Sequence, residues 1–187
     1  MQRRKIKPNP VKLFTAVFTA NINLFEEVKK ILEEKFGEID FESEIFDFDN
    51  TNYYEEEMGK NLKKKFYFFK NLISPEKIVD VKIETMKIEE KFMENEKRKV
   101  NIDPGYLDLS KIILSSKKDY SHRIYLGKGV YAEVTLFFKK GNFHIFPYTY
   151  PDYRREDYIK TFLKAREILK KQLKEFPVAS LRNLFEI

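Results

Sequence analysis

Val11-Lys12-Leu13-Phe14-Thr15-Ala16-Val17-Phe18-Thr19-Ala20 is apolar on both of its alternating sets, Val11, Leu13 and Val17 against Phe14, Ala16 and Phe18. A strand with one wet face alternates between polar and apolar residues, whereas one buried on both faces does not. This segment therefore reads as the central strand of a sheet.

Downstream, Asn23 stands three residues before Glu26 in a capping pattern, and Leu24, Val28, Ile31 and Leu32 recur at helical spacing until Gly37. Ile39 and Phe41 differ in parity from Phe46 and Phe48, which implies one bulged strand or two short pieces. Lys65 to Leu72 reads as a strand. Ser74 and Pro75 then open a helix carrying Ile78, Val81, Thr85, Ile88 and Phe92. Pro104-Gly105 within Asn101 to Tyr106 is placed for a type II turn, and Leu107 to Ser115 reads as either a short helix or a strand, of which the helix is favoured. Ser121 to Leu126, Val130 to Phe138 and Phe143 to Phe146 form a three-stranded meander through Gly127-Lys128-Gly129 and Lys140-Gly141-Asn142. Tyr158 to Phe176 closes the chain as a helix. The expected class is α+β, a mixed but mainly antiparallel sheet with helices packed on it and a ferredoxin-like first half. No repeat or linker interrupts residues 1–187, so one domain is expected.

Composition narrows the function. With 36 Lys and Arg against 30 Asp and Glu, the net charge is +6, and 16% of residues are aromatic. That is ample material for a core. The absence of cysteine excludes disulfides, thiolate nucleophiles and iron–sulfur clusters and fits a reducing compartment. His122 and His144 alone cannot make a three-histidine metal site. Arg3, Arg4, Lys5 and Lys7 before Leu13 to Ala20 imitate a signal peptide, but Pro8, Pro10 and Lys12 interrupt it, so a cytoplasmic chain with no membrane span is expected. Abundant Lys, Glu, Ile and Phe point to a thermophilic prokaryote or an AT-rich genome.

Three stretches carry chemistry. Asp47-Phe48-Asp49-Asn50-Thr51 matches the D-x-D-x-T pattern of haloacid-dehalogenase phosphatases, although a strand and a helix precede it and no later acidic pair resembles the expected one. Nine carboxylates and no base lie between Glu38 and Glu57, a run that reads first as a solvated acidic face. Lys63, Lys64, Lys65 and Lys70 interleave with Phe66, Tyr67, Phe68 and Phe69, the ingredients of nucleic-acid binding, yet a core strand behind a basic edge is the simpler reading. No P-loop is present. In the second hairpin, a three-residue loop at Gly127 to Gly129 sets Leu126 opposite Val130, Tyr125 opposite Tyr131 and Arg123 opposite Glu133, so a carboxylate would hold the guanidinium. Alternation places His122 instead on the apolar face with Ile124 and Leu126.

The order of Thr51-x-Tyr53-Tyr54-Glu55-x-Glu57-Met58-Gly59, Asn101-x-Asp103-Pro104-Gly105-Tyr106, Lys117-x-Asp119-x-Ser121-His122-Arg123-Ile124-Tyr125-Leu126-Gly127, Tyr131-Ala132-Glu133-Val134-Thr135-Leu136 and Thr149-Tyr150-Pro151-Asp152-Tyr153 resembles domain-of-unknown-function family 4416, a family of bacterial and archaeal proteins. The resemblance spans nearly the whole chain and implies that Thr51 to Gly59 belongs to that family's own Thr-x-Tyr-Tyr pattern. It transfers no activity, cofactor or metal.

These readings converge on a small anionic or phosphorylated ligand in a cleft lined by Tyr, Arg and acidic residues. The candidates are Tyr53, Tyr54, Glu55, Glu57, Asp103, Tyr106, Lys117, His122, Arg123, Tyr125, Glu133, Tyr150, Asp152 and Tyr153. The alternatives are metal-dependent phosphoester hydrolysis through Asp47, Asp49 and Glu55 or Glu57, and an RNA-binding or protein-interaction module.

Overall fold

The computed structural model describes residues 8–48 and 55–175. In chain order the elements are β1 (Val11–Thr19), α1 (Leu24–Phe36), β2 (Ile39–Glu42), β3 (Phe46–Asp47), α2 (Glu55–Met58), β4 (Lys63–Ile73), α3 (Ile78–Lys91), β5 (Met93–Glu94), β6 (Lys97–Arg98), β7 (Asn101–Leu107), β8 (Lys111–Ser116), β9 (Ile124–Gly127), β10 (Val130–Lys139), β11 (Asn142–Ile145) and α4 (Glu156–Glu175). Short 3₁₀ turns at Pro75–Lys77 and Asp152–Arg154 precede α3 and α4. The main sheet runs β11-β10-β8-β7-β1-β4-β2, with β3 also on β4 and β9 also on β10. Every pairing is antiparallel.

All of β1 is buried, because α1 and α3 cover one face and α4 the other. Leu13, Val17, Tyr67, Phe69 and Ile102 meet Phe25, Val28, Leu32, Ile78, Val81 and Ile88. On the opposite face Phe14, Phe66 and Phe68 meet Phe162, Ala165 and Leu169. The order β7-β1-β4-β2 with α1 and α3 on one side is the ferredoxin-like arrangement expected of the first half. Lys12 is buried because its Nζ donates to Asp40 (2.7 Å), the Phe69 carbonyl (2.9 Å) and Gln172 of α4 (3.1 Å). Ile39 to Phe48 forms two short pieces, β2 and β3.

Two expectations fail between residues 101 and 116. Asn101–Leu107 is a strand, not a turn, and Lys111–Ser116 is a strand, not a helix. Gly105 is required by a close approach: a Cβ there would lie 2.3 Å from the Ile113 carbonyl oxygen and 2.6 Å from the Phe14 ring. Pro104 is tolerated because its carbonyl accepts from Ser115 Oγ (2.8 Å) on the β8 side, where its nitrogen also points and where the β7–β8 ladder begins only at Gly105. Toward Asn101 the two strands part. Side chains of α3 fill this seam: the Ile102 N–H donates to Glu89 Oε1 (2.6 Å), and the Ile102 carbonyl accepts from Lys82 (3.4 Å). Burial pushes the Glu89 carboxyl up to about 7.

The expected meander is also rearranged. With β8 on the inner edge of β10, β9 and β11 share the outer edge in succession. Lys128 and Gly129 form a two-residue turn with φ of 51° and 70°, and a register shift between Val130 and Tyr131 restores Tyr125 opposite Tyr131.

Candidate functional site

β9 pairs with β10 through Val130–Ala132 and β11 pairs with it from Leu136 onward, so Glu133, Val134 and Thr135 have no strand neighbour on the outer edge. A register shift against β8 falls at the same place, between Val134 and Leu136. Bulges of this kind re-aim side chains beside functional sites. The residues before β9 and after β11 enter the break from opposite directions. Thr149 Oγ1 donates to the Thr135 carbonyl (2.7 Å) and accepts from the Phe146 N–H (2.8 Å).

Glu133 is the centre of this break. Its carboxylate is 1% exposed; Oε2 lies 3.0 Å from His122 Nε2 and accepts from Arg123 Nε at 2.9 Å. The other oxygen accepts from Thr135 Oγ1 at 3.3 Å. Arg123 Nη1 donates to Ser116 Oγ and the Lys118 carbonyl, both at 2.9 Å, and Nη2 donates to the Tyr150 hydroxyl. The expected Arg123–Glu133 ion pair is thus present, although the β9–β10 ladder ends at Ile124 opposite Ala132 and includes neither residue. His122 does not lie on the apolar face, because the strand begins only at Ile124 and alternation does not extend back to it. Its ring stacks on Tyr148 at 4.2 Å and 10°, and Tyr148 on Phe146 at 5.1 Å and 3°. Burial and the nearby Glu133 charge raise both the Tyr148 and Tyr150 hydroxyls above their ordinary value.

The same loop continues to a second buried pair. Asp152 accepts from Lys64 at 2.6 Å, and the Lys64 ammonium lies 4.8 Å from the Phe48 and Tyr153 ring centres. Arg154 ties the loop to itself through the carbonyls of Thr149 (2.8 Å) and Pro147 (2.9 Å). Asp103 lies opposite Ala16, on the α4 face, and its charge helps to raise Tyr150 and Tyr153. Tyr153 is itself buried, which is the main cause of its rise.

His122, Arg123, Glu133 and Tyr150 therefore meet, with Asp103, Asp152 and Tyr153 on the same face. Other candidates do not join them. Tyr106 lies opposite Leu13 on the α1/α3 face and packs into that core, because a strand rather than a turn sets its direction. Lys117 donates to the Lys128 carbonyl (3.0 Å). Tyr125 is exposed on the edge strand, packs on Tyr131 (5.2 Å between centres) and accepts from the Gly129 N–H (3.2 Å). Glu57 is held by Arg98 through two bonds of 2.6 and 2.8 Å. Asp49, Tyr53, Tyr54 and the Glu55 side chain lie outside the described residues.

The acidic run is not merely solvated. Glu38 pairs with Lys70, Asp40 with Lys12, Glu42 with Lys29 and Lys65, and Asp47 with Lys63. The Lys-and-aromatic stretch thus has its cations engaged, and Phe66, Tyr67, Phe68 and Phe69 lie in the core. Among the described residues no group of three or more His, Asp or Glu is arranged to hold a metal, and no helix is long and apolar enough to cross a membrane. Sequence reading missed Ser116, Thr135, Tyr148 and Lys64. Tyr148, two residues before Tyr150, was the most accessible of these, since a break in the sheet can gather both.

The class defined here is an α+β protein with an extended antiparallel sheet and a His–Glu–Arg–Tyr cluster at a break in its edge. The chain belongs to the family described as Domain of unknown function (DUF4416), whose model matches residues 9–169. Neither a curated protein nor a solved structure matches it.

Proposed function

We propose that the chain binds a small anionic or phosphorylated ligand at the break in the β10 edge. The observation that carries this reading is the fixed guanidinium of Arg123. It has five N–H donors, of which Glu133, Ser116, the Lys118 carbonyl and Tyr150 engage four. The remaining Nη2 donor adjoins the Tyr150 hydroxyl, which accepts from Arg123 and keeps its own proton to donate. Two donors on a pre-oriented frame suit a phosphoryl oxygen and need little reorganisation on binding.

A thermal-shift screen of phosphosugars, nucleotides and metal salts tests the reading. A phosphorylated compound at a hundred times its dissociation constant stabilises by about 2.7 kcal/mol. Tyr150→Phe should retain the fold and lose most of that response. A panel without any phosphate-dependent shift, or an equal shift in the variant, overturns the proposal.

A further inference from the structure

His122 has a defined hydrogen-bonding state at this site. Ionised Glu133 only accepts hydrogen bonds, so a neutral His122 must carry its proton on Nε2, 3.0 Å from Glu133 Oε2. Its Nδ1, which has no partner among the described residues, then presents a lone pair. Tyr148 covers one ring face at 4.2 Å, and Tyr120 approaches at 5.2 Å with a 60° tilt, so the ring edge is what remains for a ligand. The charges facing His122 are Glu133 of β10 and Arg123 beside it, which offset one another. Tyr120 and Tyr148 pack against its ring, and Tyr150 joins the cluster through Arg123, with Asp103 of β7 acting on Tyr150. Protonation of His122 therefore changes the local charge from zero to plus one and converts Nδ1 from an acceptor that repels an anion into a donor.

We propose that this site takes up its anion together with one proton on His122 Nδ1, the oxyanion bound by that N–H, Arg123 Nη2 and the Tyr150 hydroxyl. The inference rests on the anion-binding reading above and adds a proton to it. By linkage, an anion that prefers protonated His122 must raise that histidine's titration midpoint by the same factor.

Inorganic sulfate is the probe, because its charge is constant between about pH 5 and 9, where histidine titrates. The chain has two histidines, so NMR can follow both imidazoles; His144, whose Nε2 lies 2.9 Å from the Lys139 carbonyl, is the internal reference. Saturating sulfate should raise the His122 midpoint by about one pH unit and leave His144 unchanged, and sulfate affinity should fall about tenfold from the acidic to the basic limit. His122→Gln should bind sulfate weakly at all pH values. Sulfate binding at the Arg123–Tyr150 frame with equal affinity across the range, or with an unmoved His122 midpoint, overturns proton uptake and leaves the anion reading standing. Absence of sulfate and phosphate binding at every pH overturns both.

Discussion

At two interruptions of the sheet, side chains take the place of a strand partner. In the seam between β7 and β8, Glu89 and Lys82 of α3 satisfy the backbone of Ile102. At the outer edge of β10, Thr149 satisfies the Thr135 carbonyl while His122 and Arg123 converge on Glu133. The seam carboxylate binds a main-chain N–H under cover and is pushed toward its neutral form. The edge carboxylate is as deeply buried, yet the Arg123 guanidinium donates to one of its oxygens at 2.9 Å, whereas Arg98 stands 3.5 Å from Glu89. One break closes a fold; the other orients donors at the surface.

The largest contrast should come from removing each carboxylate. Glu133→Gln leaves Arg123 buried without its counter-charge and should cost about 3 to 5 kcal/mol in denaturant unfolding. Glu89→Gln keeps an acceptor for the Ile102 N–H, so its effect depends on pH. The folded value of Glu89, about 7, lies above the ordinary 4.5, so burial favours the protonated form. Its contribution is complete below about pH 4.5 and is lost as pH rises through 7, by on the order of 3 kcal/mol. Relative to the wild type, Glu89→Gln should gain stability by that amount over the interval. A constant difference between the two proteins across pH would show that burial does not hold the seam carboxyl in its neutral form.

How much of this was legible in the sequence depends on what set each residue's direction. The central strand was readable because Val11 to Phe18 is apolar on both faces, a local pattern with a direct physical meaning. The Arg123–Glu133 ion pair was legible, but the register argued for it holds only at Tyr125 opposite Tyr131: a two-residue turn puts Gly127 opposite Val130, and the ladder ends at Ile124. His122 was misplaced because alternation ends where β9 begins. The β7–β8 pair was misread because Pro104-Gly105 has the chemistry of a turn, while its real constraint comes from Phe14 and Ile113 across the sheet. Lys64 and Asp152 lie 88 residues apart, and no local pattern joins them.

A glycine beside the seam gives the next effect. Gly105→Ala drives a methyl group against the Ile113 carbonyl and the Phe14 ring, and the carbonyl belongs to the paired strand and cannot swing aside. Overpacking of this kind should cost about 1 to 3 kcal/mol. Amide exchange should quicken at Ile102 and Ile113 first, since the strained ladder starts at Gly105, while the amides around Glu133 keep their protection. Equal loosening of both breaks would mean that the seam and the β10 edge open as one unit.

Tyr150→Phe should have the smallest effect on stability and the most selective effect on function. The ring and the loop anchors at Thr149 and Asp152 remain, and only the hydroxyl that accepts from Arg123 Nη2 is removed. Its site is 42% exposed, so water can replace the lost acceptor and the cost should be no more than about 1 kcal/mol. Arg123 keeps Glu133, Ser116 and the Lys118 carbonyl, and its plane should not turn. Binding should respond differently, because the hydroxyl proton is one of the donors next to the incoming oxyanion and water supplies it without fixed direction. A midpoint of unfolding within about 1 kcal/mol of wild type, together with sulfate affinity reduced about tenfold, would separate the edge from the seam by function. Loss of both in equal measure would reduce Tyr150 to a brace for Arg123 and make the two breaks alike.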